Sequence, residues 1–375
     1  VAAFMELALY HPEIGYYARA AQRSGRAGDF VTSVDVGPLF GELLEVQLAE
    51  MADILAACHA EQAGRPPDRN PAANQPNSAS HFDLVEAAAG NGRLSADILR
   101  AARRRDPAFC NRIRLHLVEA SAAARAEQVH ALGAEGGRLA SSSPDLPASF
   151  EGVLLANELL DALPVHQVVM RPDGLREVYV HASGAWLRTV EGPPSTPALE
   201  AYLDRLGVVL EPGWRGEINL QAVEWTRAAA RHLSRGFIII IDYGHRAREL
   251  YSATHSGGTL TTFTRHTSAG PERSADAPAW LEDAGERDIT AHVDFTSVQS
   301  AAEAEGLTTL GFLDQTYFLM GLGAATADAG DLKRRLALKT LLMPGGLGST
   351  HKVLILGKGV GTPALAGCSF RLRVT

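Results

Sequence analysis

From residue 82 onward, short apolar runs alternate with stretches whose apolar residues recur every three or four positions. The pattern reads strand over 82–88, helix over 94–105, strand over 114–119, helix over 122–132 and strand over 152–156. Such alternation builds βαβ units, and βαβ units build a parallel sheet with helices on its faces. The rhythm resumes with a helix over 222–233, a buried strand over 237–242, a helix over 295–305, a strand near 307–313, helices to about 342 and a final strand over 351–356. The expected fold class is α/β, with a seven-stranded, Rossmann-like sheet.

Interruptions in the rhythm set the expected domain organisation. Residues 1–60 form an N-terminal helical extension, because Phe40, Leu43, Leu44, Leu48, Met51 and Leu55 keep helical spacing. Residues 61–80, rich in Pro, Asn, Ala and Gly, read as a flexible linker. The ligand-binding domain occupies 81–164 and 221–358. Between them, 165–220 reads as an inserted β-meander, with period-two segments and turns at Pro172-Asp173-Gly174 and Ser183-Gly184. A polar stretch over 267–287 is expected to be a surface loop or lid, and 359–375 a C-terminal tail.

Composition excludes several classes. No apolar run approaches the roughly 20 residues of a membrane span. A net charge of -8 offers no general attraction to nucleic acid, and the run Arg103 to Arg105 reads as a solvated helix end. Cys58, Cys110 and Cys368 are odd in number and widely spaced, which suggests neither a disulfide framework nor a zinc site and points to a reducing, cytoplasmic compartment. The chain begins at Val1, without the charged start and cleavage site of a secretory signal, so a native N-terminus lost from it is an open expectation.

An open α/β sheet holds its ligand beyond the carboxyl ends of its strands. The first strand here runs into Glu86-Ala87-Ala88-Ala89-Gly90-Asn91-Gly92-Arg93-Leu94, where Gly90 and Gly92 would let a ligand approach the backbone. Glu119, ending the next strand, is suited to accept the hydroxyls of a ribose. The loop reads Gly-x-Gly-x-x-Ser rather than Gly-x-Gly-x-x-Gly, and an anionic Glu86 suits an ammonium better than a pyrophosphate. S-adenosylmethionine is therefore favoured over a dinucleotide. A tight turn without ligand is the plain alternative.

The strand over 152–156 ends in Asn157-Glu158, followed by Asp161 and Pro164. Asn157 is expected on the cofactor side. Glu158 and Asp161, three apart, would share a face in a helical turn, where two carboxylates could grip a guanidinium; alternatively they cap a following helix. Asp242 and His245 end the most apolar strand and join them as candidate catalytic groups, His245 as a proton acceptor. Asp294 or Thr290 would cap the helix beginning at 295. No set of His, Asp and Glu has metal-ligand spacing, so no metal is expected.

Several motifs occur in one order: Phe4-Met5, Leu9-Tyr10-His11-Pro12 and Gly15-Tyr16-Tyr17, then Gly28-Asp29-Phe30-Val31-Thr32-Ser33 and Phe40-Gly41-Glu42-Leu43. Asn157-Glu158-Leu159-Leu160-Asp161-Ala162-Leu163-Pro164-Val165, Ile241-Asp242-Tyr243-Gly244-His245 and Thr290-Ala291-His292-Val293-Asp294-Phe295 follow. Together they closely resemble the MidA family of protein arginine methyltransferases. The resemblance implies S-adenosylmethionine as cofactor, arginine nitrogen on a protein partner as acceptor, and Asp29, Thr32 and Ser33 in a segment over the cofactor. It further implies a respiratory-complex subunit as a candidate substrate and the mitochondrial matrix as compartment in a eukaryote; a homodimer is a separate expectation for the assembly. Where the family typically has glycine and proline, this chain has Ala88 and Ala89. A positive φ at Ala88 would cost about 1 kcal/mol, which motivates a second expectation: an assembly factor with weak or lost turnover. A nicotinamide-dependent oxidoreductase is the third.

Overall fold

The computed structural model describes residues 1–18, 32–62, 81–184, 186–264, 267–270, 278–324, 330, 332–343 and 347–370. They divide into two compact units, each assembled from separate stretches of chain.

One unit comprises Thr32–Asn157, Ala228–Ile241 and Ala302–Thr375. Its strands are β1 (Phe82–Ala87), β2 (Ile113–Val118), β3 (Leu139–Ser143), β4 (Phe150–Asn157), β5 (Leu233–His245, of which the unit takes the part to Ile241), β6 (Thr308–Asp314) and β7 (His351–Lys358). They lie in the order β6-β7-β5-β4-β1-β2-β3. Pairs β3/β2, β2/β1, β1/β4 and β4/β5 are parallel, and β6/β7 is antiparallel. The order reverses at β1 and β4, which puts the crevice for a ligand beyond the ends of those strands. The isoleucines at 238 to 241 are fully buried, as both-sided strands of a parallel sheet require.

The expected βαβ units are present as helices Arg93–Arg105, Ala122–Leu132 and Leu220–His232. Ser121 caps the second, its Oγ accepting from Ala124 N at 3.3 Å. The long helix Leu39–Gln62 packs its apolar stripe into the same core. β3 is the strand that hydrophobic patterning misses: Leu-Ala-Ser-Ser-Ser at the sheet edge alternates half-buried and exposed positions. The expected linker lies, from residue 63, outside the described residues.

The other unit comprises Val1–Val31, Glu158–Arg227 and Asp242–Ala301. Within it the meander is an antiparallel sheet of Trp186–Gly192, Gly174–Ser183, His166–Arg171 and Arg215–Ile218. A second, three-stranded sheet joins Thr267–Ala269, Thr261–Thr264 and Asp288–Thr290. This corrects the expected lid over 267–287: part of that stretch pairs in a sheet, and Trp280 and Leu281 are buried. Val293–Asp294 pairs in parallel with Gly244 and His245 at the end of β5. At Gly244 an added Cβ would lie 2.2 Å from the Val293 carbonyl oxygen, so only glycine permits that approach. Asp294 caps helix Phe295–Ala304, its Oδ1 accepting from Thr296 N at 2.9 Å, while Thr290 sits in a strand.

Candidate functional site

In the unit that carries β1 the turn after that strand is held from several directions. Gly92 precedes helix Arg93–Arg105 with φ +80, and Gly90 has φ +51. A Cβ added at Gly90 would meet nothing within 4 Å, so the backbone there is open to a ligand. Gly90 N donates to Glu119 Oε2 at 2.9 Å, and Ser121 N donates to Glu119 Oε1 at 2.7 Å. Glu119 is thereby fixed at the turn, and each oxygen retains acceptor capacity for a ribose hydroxyl. On the other side, Gln128 Nε2 donates to Gly90 O at 2.8 Å, and Ser142 Oγ donates to Gln128 Oε1 at 2.7 Å.

Glu86 departs from its expected part. Its carboxyl is buried beneath the turn and accepts from Ser95 N at 3.2 Å and from Ser95 Oγ. Burial pushes its pKa up to about 7, against the hydrogen bonds from Ser95. Glu86 is thus not the fixed anion assumed from sequence but a group titrating near neutrality, and it satisfies a helix N-terminus. Ala88 does adopt a left-handed conformation, with φ +55 and an exposed methyl.

Asn157 is the half-buried last residue of β4, in register with Ile241. Thr32 N and Oγ1 both donate to Asp35 Oδ2, at 3.1 and 2.8 Å, and the buried Ser33 Oγ donates to Gln315 Oε1 at 3.1 Å. Arg93 Nη2 reaches back to Val34 O and to Asp35 Oδ1, at 2.9 Å for the latter. The segment after residue 31 is therefore fastened to the first turn of the helix behind the glycine loop. Asp29 lies outside the described residues.

In the other unit, Glu158 to Asp161 form a turn rather than a helix, and the next element is strand His166–Arg171. That removes the helix-cap alternative for both acids, and the shared helical face with it. Glu158 takes φ +51, an uncommon conformation for a non-glycine residue. The turn is tied down on all sides: Asp242 Oδ2 accepts from Leu160 N at 2.8 Å and Asp161 N at 3.3 Å. Asn219 Nδ2 donates to Leu160 O, Ala291 N to Asp161 O, and Tyr10 OH to Ala162 O, each at 3.0 Å. Asp242 is fully buried; burial first, then the charge of Asp161, pushes its carboxyl well up, while N–H groups of Leu160 and Tyr243 oppose. Its bonds make it a positioning group for the acidic turn. Tyr243 is raised too, by burial, by the Asp161 charge and by a hydrogen bond with Asp161.

His245 does not stand alone. Strand pairing sets His292 next to it, with ring centroids 5.3 Å apart, and His255 comes within 4.7 Å from the turn Ala253–His255. One ring nitrogen from each of the three lies within 4.8 Å of the others. Burial and the two neighbouring imidazoles push His292 down to about 4. The sequence positions 245, 255 and 292 carry no metal-ligand spacing, and it is the fold that brings the three rings together.

Residues 70–313 match the family described as "Putative S-adenosyl-L-methionine-dependent methyltransferase". The chain belongs to this family. It is 29% identical over 362 residues to the rat protein arginine methyltransferase NDUFAF7, mitochondrial, covering 86% of this chain and 70% of that one. The human protein of the same name is 28% identical over 355 residues, covering 86% and 69%. A crystal structure of a Burkholderia thailandensis protein bound to S-adenosyl-homocysteine matches with a TM-score of 0.81 and 28% identity, covering 100% of this chain and 91% of that one.

The protein is thus a class I methyltransferase in fold, and its cofactor is S-adenosylmethionine. The residues present fit that cofactor: the open backbone at Gly90 admits close approach, and Glu119 offers carboxylate oxygens anchored at the same turn. Family membership sets the nicotinamide reading aside. Gln128, Ser142 and Arg93 were missed by sequence reasoning. Only Arg93, directly after the second glycine, stood where a search would look. No described helix is long and apolar enough to cross a membrane.

Proposed function

We propose that this methyltransferase transfers a methyl group to an arginine nitrogen on a protein partner, with Glu158 and Asp161 binding the guanidinium. The observation that carries the proposal is the left-handed φ of Glu158 in a turn pinned by Asp242, Asn219 and Ala291. Strain of this kind persists where surrounding bonds over-determine it, and it gathers at working sites. Curated relatives named protein arginine methyltransferases support the acceptor. Glu119, Gly90, Gly92 and Asn157 serve the cofactor in this proposal, with Thr32 and Ser33 in the adjoining segment.

Two charge-assisted hydrogen bonds would orient the planar guanidinium and hold its charge. S-adenosylmethionine supplies the methyl as an electrophile on sulfonium. Because guanidinium has a pKa above 12, its proton leaves as or after the methyl arrives, passing to an acidic-turn carboxylate or to His245. Arginine methylation measured by mass spectrometry, in cells with and without the protein, identifies the acceptor. Purified Glu158→Gln and Asp161→Asn should each lose transfer by about a hundredfold or more while cofactor affinity stays within about twofold. Wild-type rates in both variants would refute the assignment.

The second reading, an assembly factor with weak or lost turnover, gains support from Ala88 only if its left-handed φ costs more in the bound state than in the free one. Isothermal titration separates the two: absence of heat up to millimolar S-adenosylmethionine would sink the enzyme.

A further inference from the structure

His245 ends β5, His292 precedes the strand residues that pair with Gly244 and His245, and His255 closes the turn Ala253–His255. Their ring centroids are 4.7, 5.3 and 5.8 Å apart, and one nitrogen from each lies within 4.8 Å of the other two. All three are half-buried, so an ion could reach them from solvent.

We propose that His245, His255 and His292 form a site for a divalent transition-metal ion, zinc foremost. Imidazole nitrogen suits zinc, whereas calcium and magnesium demand oxygen ligands. Zinc–nitrogen bonds of about 2.0–2.1 Å put two ligands of a tetrahedral ion about 3.3 Å apart, so the rings close by about 1.5 Å at most. Three protein ligands leave a fourth position for water or a substrate atom, the pattern of an open site.

Two surrounding features support ligation. Glu249 braces two of the rings: its Oε1 lies 2.9 Å from His245 Nδ1, and its main-chain oxygen accepts from His255 Nδ1 at 3.0 Å. A carbonyl partner such as that of His255 orients a metal-bound histidine and fixes its tautomer, while the Glu249 carboxylate stands beside His245 as an ion-pair contact. Among the described residues, the buried His292 Nδ1 has no hydrogen-bond partner, a cost that ligation would remove. The site would also tie the turn at residue 255 to the end of β5, and a metal on His245 would leave proton acceptance to the acidic turn.

The test uses the full chain without an affinity tag, stripped with chelator and then given one equivalent of cobalt(II) or zinc(II). Four-coordinate cobalt gives intense visible absorption, and zinc content measured by mass spectrometry should reach one ion per chain. His255→Ala and His292→Ala should each weaken zinc binding at least tenfold and abolish the cobalt band. If His292→Ala fails to fold, His255→Ala and His255→Gln carry the comparison, with far-ultraviolet circular dichroism to show that they fold. A cobalt spectrum matching the free hexaaquo ion, or zinc binding unchanged in His255→Ala and His255→Gln, would overturn the site. None of these readouts depends on methyl transfer, so failure here leaves the proposed activity standing.

Discussion

Replacing Ala88 with glycine separates strain stored in the free protein from strain that arises on binding. Ala88 sits at φ +55 with its methyl exposed, so the substitution removes little packing. Left-handed backbone costs an L-residue roughly 1–2 kcal/mol. Glycine in turn adds unfolded-state freedom worth about 0.4–1 kcal/mol. The balance favours Ala88→Gly by about 0.5–1 kcal/mol, a rise of about 2 °C in the calorimetric transition of the unit that carries residue 88. The turn's own hydrogen bonds, Ala89 N to Val118 O at 3.1 Å and Gly92 N to Ala89 O at 2.8 Å, hold this conformation, so free and bound states should share the strain. The dissociation constant for S-adenosylmethionine should then move by less than about twofold in titration calorimetry. A fivefold tightening, equivalent to about 1 kcal/mol, with no gain in melting temperature would refute the reasoning, since the left-handed form would then appear only on binding.

Glu86→Gln tests the buried carboxyl. Its folded pKa of about 7 lies above the ordinary 4.5, so the folded state holds the proton more tightly. Stability from this group is full below about pH 4.5 and is lost as pH rises through 7; the shift corresponds to about 3 kcal/mol. The glutamine variant should match the wild type near pH 4.5 and exceed it at pH 8.5 in urea denaturation, whereas a pH-independent difference would refute the shift. Asp294→Ala removes a helix cap and leaves the buried Tyr202 hydroxyl, now 2.8 Å from Asp294 Oδ2, without that acceptor. A loss of about 2–4 kcal/mol is expected, and a loss below about 0.5 kcal/mol would return the cap to a minor role.

The legible part of this fold was the part written in hydrophobic period. Helix Ala122–Leu132 agrees with its expected bounds because Ser121 caps it and Gly133 ends it. β3 was hidden because an edge strand buries only alternate residues, and three serines carry no apolar signal. The acidic turn was legible as a cluster at the end of β4 but not in conformation, since nothing local announces that Glu158 is left-handed. The three histidines were hidden for another reason. Pairing of Val293–Asp294 with Gly244 and His245 makes neighbours of residues 47 positions apart, and spacing rules read only along the chain. Sequence shows Glu86 as a charge, and burial decides how much of that charge persists.

The polar edge strand has a kinetic consequence. Ser142 holds Gln128, Gln128 holds the Gly90 carbonyl, and Glu119 holds the Gly90 amide, so both backbone groups of one glycine are clamped by the protein's own side chains. A loop in that state need not be ordered during capture, and encounter should proceed at the rate set by diffusion and orientation rather than by a slow closing step. The least hydrophobic strand of the sheet thus helps to hold the glycine turn ready for use.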